Sequence, residues 1–252
     1  LSHLISETLM LKASTGRAVR MPTVHELYGS TSAGSGSVTF LNDPNLRPEK
    51  SQTTELTAEK DLGHGILRTT AFFENTRDAI ASQISSSLTG SYKTYIQNIR
   101  RLESTGLEIA YTGQNFLKRG LDFASSLTYV DSRIKENDGY YAVAGDTIDK
   151  YQIRVPMWRA NALANYRWDE KLNTSIGARY ASSQYGRNDN SDINGFAYTG
   201  NSKFYVVDIR MLYKVDKQWS VATGIDNLNN YKYWNYHQYP MRTYHAELRW
   251  DL

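Results

Sequence analysis

From Tyr244 to the end of the chain, Tyr244, Ala246, Leu248, Trp250 and Leu252 alternate without a break with His245, Glu247, Arg249 and Asp251. A period of two places the first set on one face of a strand and the charged set on the other. The same pattern recurs along the chain and predicts about ten strands. They fall near Glu7 to Ser14, Thr53 to Leu62 and Ile66 to Asn75, then around Leu107 to Thr112 and Leu121 to Tyr129. A sixth, Trp158 to Trp168, sets Trp158, Ala160, Ala162, Ala164, Tyr166 and Trp168 against Arg159, Asn161, Leu163, Asn165 and Arg167. Three more lie near Leu172 to Tyr180, Tyr205 to Tyr213 and Trp219 to Ile225, before the terminal strand.

Connection lengths alternate as well. Short turns join strands two to three, four to five, six to seven and eight to nine. The remaining links, three to four among them, are long and rich in Gly, Ser, Asn, Asp and Tyr. Short turns on one side and long loops on the other predict a transmembrane antiparallel β-barrel with its long loops outside the cell. Trp158 and Trp168 test the idea. Ten residues of strand rise about 33 Å, or about 23 Å of height at a ~45° tilt. That fits an apolar band roughly 25 Å tall with aromatic girdles at both edges. A soluble β-sandwich explains the alternation equally well, but not the paired aromatic ends or the one-sided loops.

Composition changes this picture little. The mean hydropathy is negative, as expected when alternate residues of each strand face water. No run approaches about 18 apolar residues, so a transmembrane helix is excluded. The chain has no Cys, which removes disulfide and thiolate chemistry. Its formal net charge of +3 is spread out, so no nucleic-acid partner is expected. Leu1-Ser2-His3-Leu4-Ile5 has neither a basic n-region nor a cleavage site, so an export signal is expected upstream.

Four motifs follow in order. Gly16-Arg17 leads into Arg20-Met21-Pro22-Thr23 and Glu26-Leu27-Tyr28. Asn42-Asp43-Pro44-Asn45-Leu46-Arg47-Pro48-Glu49 precedes Glu55-Leu56. Gln97-Asn98-Ile99 precedes Gly106-Leu107-Glu108, and Asp226-Asn227-Leu228-Asn229-Asn230 precedes Tyr233 and Tyr239-Pro240-Met241-Arg242. Over nearly the whole chain this order resembles the C-terminal half of a TonB-dependent outer-membrane receptor. The resemblance implies a barrel of about 22 strands plugged by an N-terminal domain. Residues 1–252 would then be the C-terminal barrel portion, with the plug and the earlier strands lying elsewhere. It also implies active import of a scarce metal chelate, most readily a ferric siderophore, powered through the TonB complex. The lipid bilayer, lipopolysaccharide and the barrel-assembly machinery are the other expected partners. The family usually ends in Phe or Trp, whereas here Trp250 stands two residues before Leu252.

Catalysis has little support. The five His show no His-Glu-x-x-His pattern and there is no Gly-x-Ser-x-Gly elbow, so neither an enzyme nor a resident cofactor is expected. His25 and His237 fall in long loops, where imidazole suits copper, zinc or haem iron but is more often a solvated polar group. Arg68, Arg159, Arg167, Arg179, Arg210 and Arg249 share the inward face with Glu55, Glu108, Asp122, Asp208 and Glu247. They predict either a ladder of charge pairs or a hold on an anionic ligand or the plug. The long loops also carry Tyr28, Tyr92, Tyr95, Tyr140, Tyr141, Tyr151, Tyr185, Tyr198, Tyr236 and Tyr239 with Trp234 and Arg187. Such side chains suit an aromatic, anionic chelate. The candidate ligand-binding set is His25, Tyr28, Tyr185, Arg187, Trp234, Tyr236 and His237. A passive porin or adhesin barrel, an outer-membrane hydrolase, and a receptor for haem, copper, zinc or cobalamin are the other readings.

Overall fold

The computed structural model describes residues 1–29, 38–86, 92–138, 146–192 and 194–251. Of the expectations above, Tyr140, Tyr141 and Leu252 lie outside the described residues, as do the side chains of Tyr92 and Tyr95.

Eleven antiparallel strands follow one another as a meander. They are β1 (Ser2–Ser6), β2 (Leu9–Arg20), β4 (Glu49–Asp61), β5 (Gly65–Ser86), β6 (Tyr92–Gly113) and β7 (Leu121–Glu136), then β8 (Trp158–Arg167), β9 (Leu172–Ala181), β10 (Phe204–Lys214), β11 (Trp219–Asp226) and β14 (Thr243–Trp250). A helix, α1 (Val24–Tyr28), and a short strand, β3 (Val38–Leu41), fill the connection between β2 and β4. β3 runs parallel to β6 and completes a 12-stranded sheet. β12 (Trp234–Asn235) and β13 (His237–Gln238) form a separate two-residue hairpin.

The meander has eleven strands among the described residues, where about ten are expected. Five residues of β1 are too few to show a period, yet they pair with β2 through a bulge between Leu4 and Ser6. The link expected between the third and fourth strands is corrected. β5 and β6 instead run 22 residues each and pair from Gly65↔Gly113 out to Ser86↔Tyr92. Beyond the bilayer both faces of a ribbon meet water or loops, so the apolar alternation that marks a strand lapses there.

The register aligns the faces across the sheet. Leu56, Ala71, Leu107, Tyr129 and Trp158 follow one another across β4 to β8, and Tyr180, Tyr205 and Tyr244 carry the same outer edge over β9, β10 and β14. Near the short turns, Tyr166, Leu172, Tyr213, Trp219 and Trp250 form the opposite edge, with Trp219 stacked on Trp250 at 6.1 Å. Large apolar side chains between the two edges, such as Ile176, Met211 and Leu248, are exposed. An extended exposed apolar face bounded by two aromatic rows is what lipid contact requires.

On the inward face the charge ladder forms in part. Arg68 pairs with Glu59 at 2.9 Å, Arg179 with Asp208 at 3.0 Å, Arg210 with Asp226 at 3.2 Å, and Arg167 with Asp122. Arg249 reaches Asp251 rather than a neighbouring strand. Arg159, Glu55, Glu108 and Glu247 form no ion pair among the described residues.

The tight turns are built by aspartates. Asp169 accepts from the amides of Lys171 and Leu172, and Asp216 from those of Gln218 and Trp219, at 2.7–2.9 Å. These amide bonds hold both carboxyls below their ordinary range. A depressed folded-state value stabilises the turn above the unfolded value near 4 and is lost as pH falls through the folded one. Intrinsic-rate-corrected amide exchange should therefore lose protection at Leu172 and Trp219 below about pH 4. Asp169→Asn should make Leu172 insensitive to pH over that range. An unchanged pH profile in that variant would refute the account.

Candidate ligand-binding rim

The four long connections, β2–β4, β7–β8, β9–β10 and β11–β14, open at the end of the sheet towards which the β5–β6 ribbon extends. There the motifs separated in sequence become one clasp. Thr23 caps α1 with a reciprocal box: its hydroxyl accepts from the Glu26 amide, and Glu26 accepts from the Thr23 amide at 2.8 Å. Burial pushes the Glu26 carboxyl up, but hydrogen bonds from Thr23 and Arg20 outweigh it and leave the group low. Arg20 bonds Glu26 at 3.0 Å, lies 3.7 Å from Glu49, and donates to the carbonyl of Ile80, whose amide donates to Glu49. Asn98 on β6 donates to the carbonyls of Arg47 and Asp78 and accepts from the Arg47 amide, while Arg47 pairs with Asp78 at 2.8 Å. Arg-x-Pro-Thr, the Asn-Asp-Pro-Asn-Leu-Arg-Pro-Glu run and Gln-Asn-Ile thus pin the β2–β4 connection to the β5–β6 ribbon. Asp78 adopts φ 55°, a left-handed kink at the contact.

The ribbon has its own small core of Ala79, Ile99, Leu102 and Ile134. Residues beyond 146 extend it by pairing with β7: Asp149 donates to the Ile134 carbonyl and Gln152 to that of Ser132. This covers the β7 edge that β8 leaves open. Buried Gln83 exchanges hydrogen bonds with Asn137, which also donates to Thr147.

The seven candidate side chains do not converge. Trp234, Tyr236 and His237 sit together on the β12–β13 hairpin. Phe196 meets Trp234 edge-on at 6.2 Å, and Tyr198 packs 5.5 Å from Tyr236 and 5.3 Å from His237. Tyr236 (φ 66°) and Thr199 (φ 71°) are both left-handed, a costly conformation for a bulky and a β-branched residue. They hold one another, since Thr199 donates to the Tyr236 carbonyl and Tyr236 to that of Gly200. The result presents Tyr198 and Tyr236 to solvent, at 65% and 44% exposure. Lys232 lies over the Trp234 ring at 5.1 Å.

Tyr185 belongs to a second group. It stacks on Tyr151 at 6.0 Å, Arg133 covers the other ring at 4.3 Å, and a cleft of about 300 Å³ opens beside them. Met157, Trp158, Tyr180 and Lys203 line that cleft. Arg187 follows Tyr185, is exposed, and forms no ion pair among the described residues. His25 and Tyr28 stand exposed on α1, outside both groups. Exposed Tyr239 stacks on buried Tyr233 at 4.8 Å, and Tyr233 on Phe204 at 4.7 Å, so Tyr233 supports the loop from within and Tyr239 covers it. Burial pushes the Tyr233 hydroxyl up. Phe196, Arg133 and Lys203 were absent from the sequence-derived set. Phe196 beside Gly195 in a polar loop was the one legible signal. Among the described residues no group of three or more His, Asp or Glu is disposed to hold a metal ion.

An antiparallel meander with an outward lipid face, an inward charged face and an aromatic rim of long loops defines an outer-membrane transport barrel. Residues 1–228 match the family described as TonB dependent receptor-like, beta-barrel, and the chain belongs to that family. It is an outer-membrane protein of Gram-negative type. It is 25% identical over 252 residues to the ferric enterobactin receptor of Pseudomonas aeruginosa, an alignment covering 90% of this chain and 32% of that protein. Its fold is similar to that of the copper transporter OprC (TM-score 0.73, 18% identity, 99% of this chain and 38% of that one). It is also similar to the siderophore receptor PirA from Acinetobacter baumannii (TM-score 0.72, 16% identity, 99% and 40%). The chain thus spans about a third of the curated relative it matches.

Proposed function

We propose that this chain is the C-terminal barrel portion of a non-enzymatic active-transport receptor that captures a metal chelate at its outer rim, most readily a ferric siderophore. Import runs through a plug domain and the TonB complex, and the barrel-assembly machinery inserts the protein. The observation that carries the reading is the exposed Tyr198–Tyr236–His237 group, held open by paired left-handed residues. Strain retained at an exposed loop tip marks a site kept for contact. Arg187 and Lys203, which form no ion pair among the described residues, lie near this group in the chain, and aromatic faces with cations beside them suit an aromatic anion. The curated relative named for ferric enterobactin supports the same chemistry.

The test is growth under iron starvation of a strain deleted for the full-length gene and supplied with single purified siderophores. Growth should fail on one of them and return with the gene. Complementation with Arg187→Glu should lower uptake of that siderophore about tenfold while the amount of folded barrel is unchanged. Normal growth of the deletion strain on every siderophore would overturn the reading in favour of another cargo or a passive barrel.

A further inference from the structure

We propose that Arg17, Lys50 and Arg77 form an outward-facing docking site for the phosphate groups of the glycolipid of the outer leaflet. The register sets their orientation. Thr54 pairs with Phe73 on the same face as Leu56 and Ala71, the lipid face. Two residues further out, Gln52 pairs with both Arg17 and Asn75; two further still, Lys50 pairs with Arg77 and Val19. Steps of two along a strand keep to one face. All three cations therefore point away from the lumen.

Their height follows from the aromatic edge. Tyr244 pairs with Ile225, which pairs with Ile209, four residues inward of Tyr205. Tyr205 pairs with Tyr180, and Tyr180 with Ala160, two residues inward of Trp158. From β14 to β7 the edge thus climbs outward in two steps, between β14 and β10 and between β9 and β8, and stays level elsewhere, as strands tilted to the membrane allow. Continued over β6 and β5 it reaches Phe73, two residues outward of Ala71, whose neighbour Leu107 pairs with Tyr129. Arg17, Asn75, Lys50 and Arg77 stand one and two steps beyond that ring, where headgroup phosphates begin.

Charge gives the second argument. Neighbouring cations outside the bilayer are neutralised: Arg20 by Glu26 and Glu49, Arg47 by Asp78, Arg100 by Glu136 and Asp138, Arg101 by Glu103 and Glu136, and Arg133 by Asp131. Among the described residues none of Arg17, Lys50 and Arg77 has a carboxylate within ion-pair distance. Lys50 and Arg77 nevertheless face each other directly, a juxtaposition that destabilises a sheet unless an anion intervenes. The three border a cleft of about 560 Å³ with Gln52, Thr54, Asn75 and Phe73. Three cations above an apolar ring fit a phosphorylated sugar whose acyl chains descend past Phe73. Guanidinium groups bind phosphate bidentately.

The test uses the receptor extracted from outer membranes in mild detergent, with bisphosphorylated and dephosphorylated lipid A as probes and native mass spectrometry as readout. Wild type should hold the bisphosphorylated lipid at least tenfold more tightly than the triple variant Arg17→Gln, Lys50→Gln, Arg77→Gln. The two proteins should not differ for the dephosphorylated lipid. Exchanging Arg and Lys at the three positions should keep binding within about threefold, and Lys217→Gln at the opposite end should leave it unchanged. Heat-modifiable gel migration reports folding; should the triple variant fail it, Arg77→Gln and Lys50→Gln singly should each cost about threefold. Equal affinity of wild type and folded variants overturns the proposal. So does full displacement of the lipid by an equimolar amount of inorganic phosphate, which would mark a small-anion site.

Discussion

Ala162→Arg is expected to cost about 2–4 kcal/mol of membrane-inserted stability, the penalty for a cation at the bilayer midplane on a lipid-facing position. Ala162 lies midway between Trp158 and Tyr166, facing Ser125 on β7 and Ala178 on β9. None of these offers a carboxylate, and both aromatic edges are about four residues, or ~13 Å of strand, away. A snorkelling Arg therefore reaches headgroups only by distorting the bilayer. The control is Asn161→Arg, one residue away on the inward face. Asn161 opposes Ser126 and Arg179, and Arg179 is already engaged by Asp208. A second cation there costs the repulsion of a cross-strand pair, below about 1 kcal/mol. Yield of folded receptor in outer membranes and refolding into lipid vesicles in urea should both rank wild type, then Asn161→Arg, then Ala162→Arg. Equal losses from the two variants would show that the faces are wrongly assigned.

Asn227→Ala is expected to destabilise the β11–β14 connection by about 3 kcal/mol, summing lost hydrogen bonds and a backbone penalty. Asn227 is buried and left-handed at φ 54°, and its amide donates to Asp208. Its side-chain nitrogen donates to the carbonyls of Tyr231 and Pro240, and its side-chain oxygen accepts from the Tyr231 amide. Asn229 bridges the Tyr205 carbonyl and the Val207 amide, and Asn230 accepts from the amide of Arg242. The asparagine-rich motif is thus the base of the loop that carries the Tyr233 stack and, beyond it, Trp234, Tyr236 and His237. Ala leaves buried backbone groups unpaired and disfavours the positive φ. Gly keeps the conformation and loses only the bonds, so Asn227→Gly should recover roughly 1 kcal/mol. Protease nicking within residues 228–242 of the full-length receptor should rise in the order wild type, Gly, Ala, and uptake should fall in parallel. Nicking as slow in Asn227→Ala as in wild type would remove this asparagine as the anchor.

The legibility of each feature follows from its range along the chain. Trp158 to Trp168 could be read directly because lipid on one side and water on the other act on every second residue. The tight turn at Asp169 was equally local, its side chain bonding amides two and three residues ahead. The Arg-x-Pro-Thr and Asn-Asp-Pro motifs were visible as signatures, yet their purpose was not. Arg20, Glu49, Ile80 and Asn98 meet only because β2, β4, β5 and β6 pair in one register. The candidate rim residues were named from the sequence by residue type alone, and their grouping is visible only in the structure. Tyr185 found Tyr151, Trp234 found Phe196, and His25 and Tyr28 stand apart on a helix that the alternation could not predict.

The amino-acid sequence by itself determined the strand faces, the aromatic edges, the side on which long loops emerge and the family, because a bilayer imposes a local period of two. Tertiary structure alone decided how far β5 and β6 run beyond the membrane, where both faces are wet and the period lapses. It also decided which loop side chains share a rim, and that Arg17, Lys50 and Arg77 become one outward patch. Those outcomes depend on strand register, which is set by pairing between segments tens of residues apart.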